Sequence, residues 1–260
     1  MILLIGGTSE TAPLAAGLAK AGYDILASTA TDFPLDVGAH PRIHRRTGRL
    51  DREGMVALGK ARKIRAIVDA AHPYAVSVHA AAEDAARRLG IPCLRFRRPE
   101  ASVPAGDVRF AADHDEAAAM AFAEGRPVLL TTGSRNLAPY AEASRRSGVP
   151  LAVRVLDAPE SLAACRASAI REERIIAGRG PFSVEENLAA IKRFGIGVIV
   201  TKESGQAGGF AAKLAAAVEA GCRVVVIRRP ETAESGPSFA DPASLIAALL
   251  ALRPPEPRTR

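Results

Sequence analysis

The sequence predicts an α/β protein of parallel β-sheet with helical crossovers, divided into two βα halves. Three observations carry that reading. Short β-branched or leucine-rich runs alternate with Ala/Leu-rich stretches along the chain, and such a switching period means parallel strands joined by helices. Helical stretches close on Gly22, Gly90, Gly125, Gly148, Gly195 and Gly221, each followed within a few residues by a new apolar run, as a helix C-cap leading into a strand requires. At 260 residues and 48% hydrophobic, the chain is long enough for one large core or two of ordinary size.

Taken in order, the apolar runs are Ile2–Ile5, Ile25–Ala27, Ala66–Val68, Ile91–Leu94, Val128–Leu130, Leu151–Val153, Ile175–Ile176, Val198–Val200 and Val224–Val226, which makes roughly nine strands. A boundary is expected after Arg97-Arg98-Pro99-Glu100, where the Pro- and Gly-containing stretch Ser102 to Asp107 follows a strand. This gives a first domain over 1–100, a second over 101–253, and a frayed tail over 254–260 that opens Pro254-Pro255-Glu256-Pro257.

Composition narrows the function classes. Cys93, Cys165 and Cys222 lie far apart, without the spacing of a disulfide framework or zinc cluster. The opening apolar run stops at Gly6-Gly7, too short for a signal peptide, and no run approaches the ~20 residues of a membrane span. A soluble cytoplasmic protein is expected, as a monomer. The formal charge is +7, from 35 Lys+Arg against 28 Asp+Glu, and only six of the cationic residues are lysine. Arginine suits carboxylate and phosphate recognition, although heavy alanine usage marks much of the excess as compositional. Aromatics at 4% and the absence of tryptophan argue against a single-strand nucleic-acid binder, and no helix-turn-helix or zinc signature supports another kind.

The first strand runs into Gly6-Gly7-Thr8-Ser9-Glu10 and then a helix over Thr11 to Ala21. Glycines there let backbone approach a pyrophosphate, and the helix start offers N–H groups and a positive dipole end. The spacing is not GxGxxG, and a glycine turn also serves as plain punctuation. The second strand ends in Ser28-Thr29-Ala30-Thr31, where an NAD-binding fold carries an acid for the ribose hydroxyls. Hydroxyls leave room for a 2′-phosphate, with Arg42, Arg45 or Arg46 as counter-charge; Asp32 stands close enough to oppose this. The stretch Val68-Asp69-Ala70-Ala71-His72-Pro73-Tyr74 places His72 at a strand end before a proline suited to helix position N1, where it either orients a ligand and relays a proton or caps the helix. His40, His44, His79 and His114 read as surface or packing residues.

Three strand ends of the second half carry small polar loops: Thr131-Thr132-Gly133-Ser134, Gly178-Arg179-Gly180-Pro181-Phe182-Ser183, and Thr201-Lys202-Glu203-Ser204-Gly205 with Lys213 beyond. Together they form an anion-binding edge. Tyr23, Tyr74 and Tyr140 are followed four residues on by Ala27, Val78 and Ser144, so no Tyr-x-x-x-Lys is present. GxxxxGK[ST] and G-x-S-x-G are also lacking.

These residues resemble the precorrin-6A reductases of cobalamin biosynthesis. The resemblance rests on Ile5-Gly-Gly-Thr-Ser-Glu10, Val68-Asp-Ala-Ala-His-Pro-Tyr-Ala75, Pro92-Cys-Leu-Arg95 with Arg98-Pro99, Leu130-Thr-Thr-Gly133, Gly180-Pro-Phe-Ser183, Thr201-Lys-Glu-Ser-Gly205, Gly208-Gly209, Lys213 and Arg229-Pro230. It implies two Rossmann-like parallel-sheet domains with the active-site cleft between them. It also implies hydride transfer from NADPH to C19 of precorrin-6A, reducing the C18–C19 double bond to give precorrin-6B. Gly6, Gly7, Thr8 and Ser9 would then bind the pyrophosphate, with Glu10 also in the cofactor site, Ser28 and Thr29 the adenosine ribose, and His72, Pro73 and Tyr74 the nicotinamide side. Thr131, Thr132, Gly133, Arg179, Gly180, Lys202, Ser204, Gly205 and Lys213 would grip the macrocycle's carboxylates. His72 is the first candidate proton donor, with water or a substrate group as the alternative, and no metal is implied. The chain departs from the family at Ala71, where Ser or Thr is common, and at Thr31-Asp32, where many members carry Gly-Arg. Two alternatives stand beside this reading: a cobalt-precorrin-6A reductase using NADH, and a non-enzymatic NAD(P)H-binding redox sensor.

Overall fold

The chain alternates strand and helix throughout the computed structural model, which describes residues 1–30, 37, 39–97, 106–203, 209–229 and 236–253. Thr31, Asp32, residues 98–105, Ser204, Gly205, Gly208, Pro230 and the 254–260 tail, all singled out above, lie outside the described residues. In chain order the elements are β1 (Ile2–Ile5), α1 (Thr11–Lys20), β2 (Ile25–Thr29), β3 (Ile43–Thr47), α2 (Arg52–Ala61), β4 (Ala66–Asp69), α3 (Val76–Leu89), β5 (Cys93–Phe96), β6 (Val108–Ala111), α4 (His114–Phe122), β7 (Val128–Leu130), α5 (Ala138–Ser147), β8 (Leu151–Val155), α6 (Pro159–Ala167), β9 (Ile175–Ala177), α7 (Val184–Phe194), β10 (Val198–Lys202), α8 (Phe210–Glu219), β11 (Arg223–Ile227), β12 (Ser238–Phe239) and α9 (Pro242–Leu252). They form two units, Met1–Pro99 with Pro230–Arg260, and Glu100–Arg229.

The first unit holds a six-stranded parallel sheet ordered β3-β2-β1-β4-β5-β12. This is the dinucleotide-binding order, in which the winding reverses between the first and fourth strands. Because both faces are covered, β1 reads as a continuous apolar run: Ile2 and Leu4 pack with Leu14 and Leu18 of α1 and Leu245 and Leu249 of α9, whereas Leu3 and Ile5 pack toward Met55 of α2 and Ala82 and Ala85 of α3. Each fully buried leucine stabilises the unit by roughly 1.5–3 kcal/mol.

One expectation is corrected here. Residues 236–253, assigned from sequence to the second domain, return to the first: β12 pairs with β5, α9 joins the β1 core, and the Tyr23 hydroxyl donates to the Arg253 carbonyl at 2.8 Å. A two-residue strand has no readable period, and the apolar surface of α9 gives no hint of which sheet it covers.

The second unit holds a six-stranded parallel sheet ordered β6-β11-β10-β7-β8-β9. Its run β9-β8-β7-β10-β11 repeats the layout β3-β2-β1-β4-β5. The sixth place is filled by β6, the unit's first strand, where the first unit uses β12, its last. The winding therefore reverses between β7 and β10, as it does between β1 and β4. One face is covered by α7 and α8, with Phe210, Leu214, Ile191, Ile199 and Leu129 in contact. Helix α7 shows how local sequence sets its ends: Ser183 and Glu186 form a capping box at the start, and Gly195 closes it at φ 61°.

Candidate functional site

In open parallel sheets, ligands bind beyond the carboxyl ends of the strands where the winding reverses. In the first unit that place lies between the loops after β1 and β4, and both were singled out from sequence. The β1 loop is tied internally. Gly6 N–H donates to the Ser28 carbonyl at 2.9 Å, Gly7 and Thr8 N–H donate to Thr11 Oγ1 at 3.2 and 3.3 Å, and the buried Thr8 hydroxyl donates to the Ala70 carbonyl at 3.1 Å. Gly6 and Thr8 thus shape the loop and join it to β2 and β4. A Cβ on Gly6 would lie 2.6 Å from Thr11 Cγ2, whereas one on Gly7 would meet nothing within 4 Å, at φ +114°. The open backbone at Gly7, the exposed Ser9 and the start of α1 form the presented surface, and no side chain caps that helix end. Ser9 donates its hydroxyl to Glu10 Oε2 at 3.1 Å.

At the end of β2, Ser28 and Thr29 are buried. Arg46 of β3 reaches across, donating from Nη1 to Ser28 Oγ at 2.8 Å and to the Gly48 carbonyl at 2.9 Å, and from Nη2 to the Thr47 carbonyl at 2.9 Å. Arg42 instead pairs with Asp24 at 3.2 Å, at the amino ends of the strands, and Arg45 is exposed on β3. Of the three arginines, Arg46 is the one beside the Ser28 hydroxyl.

After β4, His72 is exposed, its ring centroid is 5.6 Å from that of Tyr74, and its Nδ1 accepts from Tyr74 N–H at 3.4 Å. Pro73 is not at N1 of a helix: α3 starts at Val76, after a turn closed by Ala75 N–H donating to the His72 carbonyl at 2.7 Å. Beneath the turn lies a cluster that sequence reading missed. Asp69 is fully buried, accepts from Ala71 N–H at 3.1 Å, and lies 2.7 Å from His79 Nδ1 and 3.5 Å from Arg95 Nε, while Arg95 also pairs with Glu83 at 2.6 Å. Of the two readings given for His79, surface or packing, the structure bears out packing: the ring is buried, with its Nδ1 against the Asp69 carboxylate. Its position ten residues after an acid at a strand end was the only available signal.

In the second unit the corresponding edge is at the ends of β7 and β10. Thr131 donates through its hydroxyl to the Val200 carbonyl at 2.9 Å, which locks the two strands. Thr132 Oγ1 is buried with no hydrogen-bond partner among the described residues, and Gly133 has φ +84°. Lys202, half-buried on β10, has its pKa lowered by burial and then by Arg135. His114, at the start of α4, is held by Tyr140 and Asn136, each 2.9 Å away. Burial, then Lys202, lowers its pKa to about 4, so it is neutral at physiological pH. Thr131–Gly133 follow β7, and Lys202 ends the adjacent strand β10. Arg179 and Gly180 are exposed after the edge strand β9, two places from β7, and Lys213 is buried on α8.

Residues 1–250 match the model of the family described as Precorrin-6x reductase CbiJ/CobK. The chain belongs to the precorrin-6x reductase family. Relatives include the cobalt-precorrin-6A reductase of Priestia megaterium, 34% identical over 89% of this chain and 91% of its own. The precorrin-6A reductase of Rhodococcus erythropolis is 35% identical over 95% and 96% respectively. A solved structure of CobK precorrin-6A reductase aligns with a TM-score of 0.79 over 98% of this chain and 97% of its own, at 24% identity, which shows the same fold. Family membership makes the chain an oxidoreductase of the precorrin-6x class. Reductases of this family use a nicotinamide cofactor, and the first unit fits one: it has the dinucleotide-binding strand order, open space at Gly7 where an added Cβ would stand, and a helix start at the reversal point.

Proposed function

We propose that the protein reduces precorrin-6A to precorrin-6B with NADPH. The observation that carries the cofactor choice is Arg46 hydrogen-bonded to Ser28 at the end of β2, where an acid would select NADH. When bound, the nicotinamide supplies the hydride delivered to C19 of the tetrapyrrole, and the protein binds, orients and excludes water. In this reading the Gly7 backbone, Ser9 and the first turn of α1 receive the pyrophosphate, while Gly6, Thr8 and Glu10 shape that loop. Ser28 and Thr29 take the adenosine ribose, with Arg46 at its 2′-phosphate. His72, Pro73 and Tyr74 line the nicotinamide side, and His72 supplies the proton that completes the reduction.

The second unit holds the substrate. Thr131, Thr132 and Gly133 with Lys202 stand at the reversal point, Arg179 and Gly180 add an exposed stretch after β9, and Lys213, buried on α8, belongs to the same reading with Ser204 and Gly205. A tetrapyrrole with many carboxylates is the complement of such an edge. Relatives named for both the cobalt-free and the cobalt-containing substrate are about equally similar, so both belong in the test. Purified protein is offered precorrin-6A with and without cobalt, and nucleotide oxidation is followed with NADPH and NADH separately. Turnover fastest with NADPH and the metal-free substrate supports the proposal. Faster turnover of the cobalt substrate with NADH reverses the substrate and cofactor choice, and binding of nucleotide without turnover of either substrate indicates a redox sensor.

A further inference from the structure

The loop between β9 and α7 carries Arg179 and Gly180, and its course is set by residues outside the site described above. Its start is tied to the sheet: Gly178 N–H donates to the Val155 carbonyl of β8 at 3.0 Å. Its end is the capping box of Ser183 and Glu186. Between these anchors the backbone runs along the Phe182 ring. A Cβ on Gly178 would lie 3.3 Å from Phe182 Cζ, and one on Gly180 would lie 3.3 Å from Phe182 Cδ2.

Phe182 is held in turn from within the sheet. The guanidinium of Arg154, a β8 residue only 6% exposed, stacks on the ring 4.2 Å from its centroid and donates from Nη1 to Asn187 Oδ1 at 2.6 Å. Asn187, buried on α7, donates from Nδ2 to the Phe182 carbonyl at 3.3 Å and to the Ser183 carbonyl at 2.6 Å. Arg154 thus grips the loop twice, directly at the Phe182 ring and through Asn187 at the backbone.

A guanidinium in this strand is costly, because burial disfavours its charged form and its Nε has no hydrogen-bond partner among the described residues. An apolar side chain of similar length would fill the place at lower cost, but it could neither stack a cation on the ring nor bond to Asn187. We infer that Arg154 is a positioning residue: through Phe182 and Asn187 it sets the course of residues 178–183 and so aims Arg179 at a carboxylate of the tetrapyrrole substrate. The inference rests on the proposed reading in which Arg179 meets that carboxylate.

The test is steady-state kinetics on the full-length wild type, R154M, N187D, R179A and the R154M/R179A double variant, with thermal melts of each. N187D keeps an acceptor for Arg154 but loses the donor to the loop carbonyls. R179A removes a charged hydrogen bond to substrate, which predicts a rise in KM for precorrin-6A of about tenfold or more. R154M and N187D are expected to raise that KM about fivefold by misaiming the same bond, with kcat and KM for NADPH within about twofold of wild type. In the double variant the effect of R154M disappears and KM equals that of R179A, because the residue it aims is gone. Should R154M fail to fold, N187D and N187D/R179A carry the same comparison. Wild-type KM in either R154M or N187D overturns the inference, and a lower melting temperature alongside it makes the role structural alone. Equal rises in KM for both reactants, or effects that multiply in the double variant, overturn it as well. R179A with wild-type KM removes the assignment of Arg179, and the inference falls with it while the reductase reading stands. Wild type that reduces neither precorrin-6A nor its cobalt form overturns the reductase reading itself.

Discussion

Asp69 Oδ2 lies 2.7 Å from His79 Nδ1 at the end of β4, and both side chains are closed to solvent. The other oxygen of Asp69 accepts from Ala71 N–H, so the pair fixes the first residues of the turn that carries His72. Asn at position 69 keeps one acceptor but turns an amide donor toward His79 or Arg95. Removing one partner of a buried pair is strongly destabilising. We expect Asp69→Asn to lower unfolding stability by about 3 kcal/mol in urea titrations and to slow turnover. A loss below about 0.5 kcal/mol would show the pair to be dispensable.

Thr11 makes a second prediction about the β1 loop. Its hydroxyl accepts from two backbone N–H groups, of Gly7 and Thr8, and its methyl occupies the place a Cβ on Gly6 would need. Valine preserves the shape and removes the acceptor, leaving two donors unpaired in or near the core. Thr11→Val should cost about 2 kcal/mol and weaken nucleotide binding, whereas Thr11→Ser should retain both. Equal melting temperatures and NADPH affinities for the two variants would count against this role for the hydroxyl.

Arg46 is the residue we propose decides between the cofactors. Three of its hydrogen bonds aim the guanidinium across Ser28, and a charged hydrogen bond to phosphate contributes about 1.5–3 kcal/mol. Arg46→Ala is expected to raise KM for NADPH by about tenfold or more and to leave KM for NADH within twofold. Steady-state kinetics with both nucleotides measures this, and equal losses for the two would assign Arg46 to the β2–β3 edge alone.

How much of this was legible in sequence depended on burial and chain distance. Eight of the nine strands read from sequence are central, such as that of Val224–Val226, which is buried on both faces, and the ninth, the edge strand β9, is marked by Ile175-Ile176. The three missed are edge or near-terminal strands. β3 reads Ile-His-Arg-Arg-Thr with most positions exposed, β6 has Arg109 and Phe110 exposed, and β12 is two residues long. In the site, Gly6-Gly7 and Thr131–Gly133 were readable because backbone demands glycine and small hydroxyls at those turns. Arg154 and His79 were not. A buried polar group in a strand or helix has no local signature, and the partners, Asn187 for Arg154 and Asp69 for His79, are 33 and 10 residues away.

The His114–Tyr140 pair yields a pH dependence. His114 titrates at about 4 in the folded protein against an ordinary 6.5, because burial disfavours its charged form and Lys202 adds repulsion. Burial also pushes the Tyr140 hydroxyl well above its ordinary range, so it stays protonated. Between pH 6.5 and 4 the unfolded chain binds a proton at His114 that the folded chain does not. The unfolded state therefore gains as pH falls, and His114's contribution is fully present above about pH 6.5 and drains away toward pH 4. Discounted for partial exposure, the loss amounts to about 1.5 kcal/mol. In His114→Gln, which cannot titrate, this component disappears while the carboxylate titrations common to both proteins remain. Thermal melts of the two from pH 7 to pH 4.5 should then diverge, with wild type falling further; parallel curves would place the His114 pKa at its ordinary value.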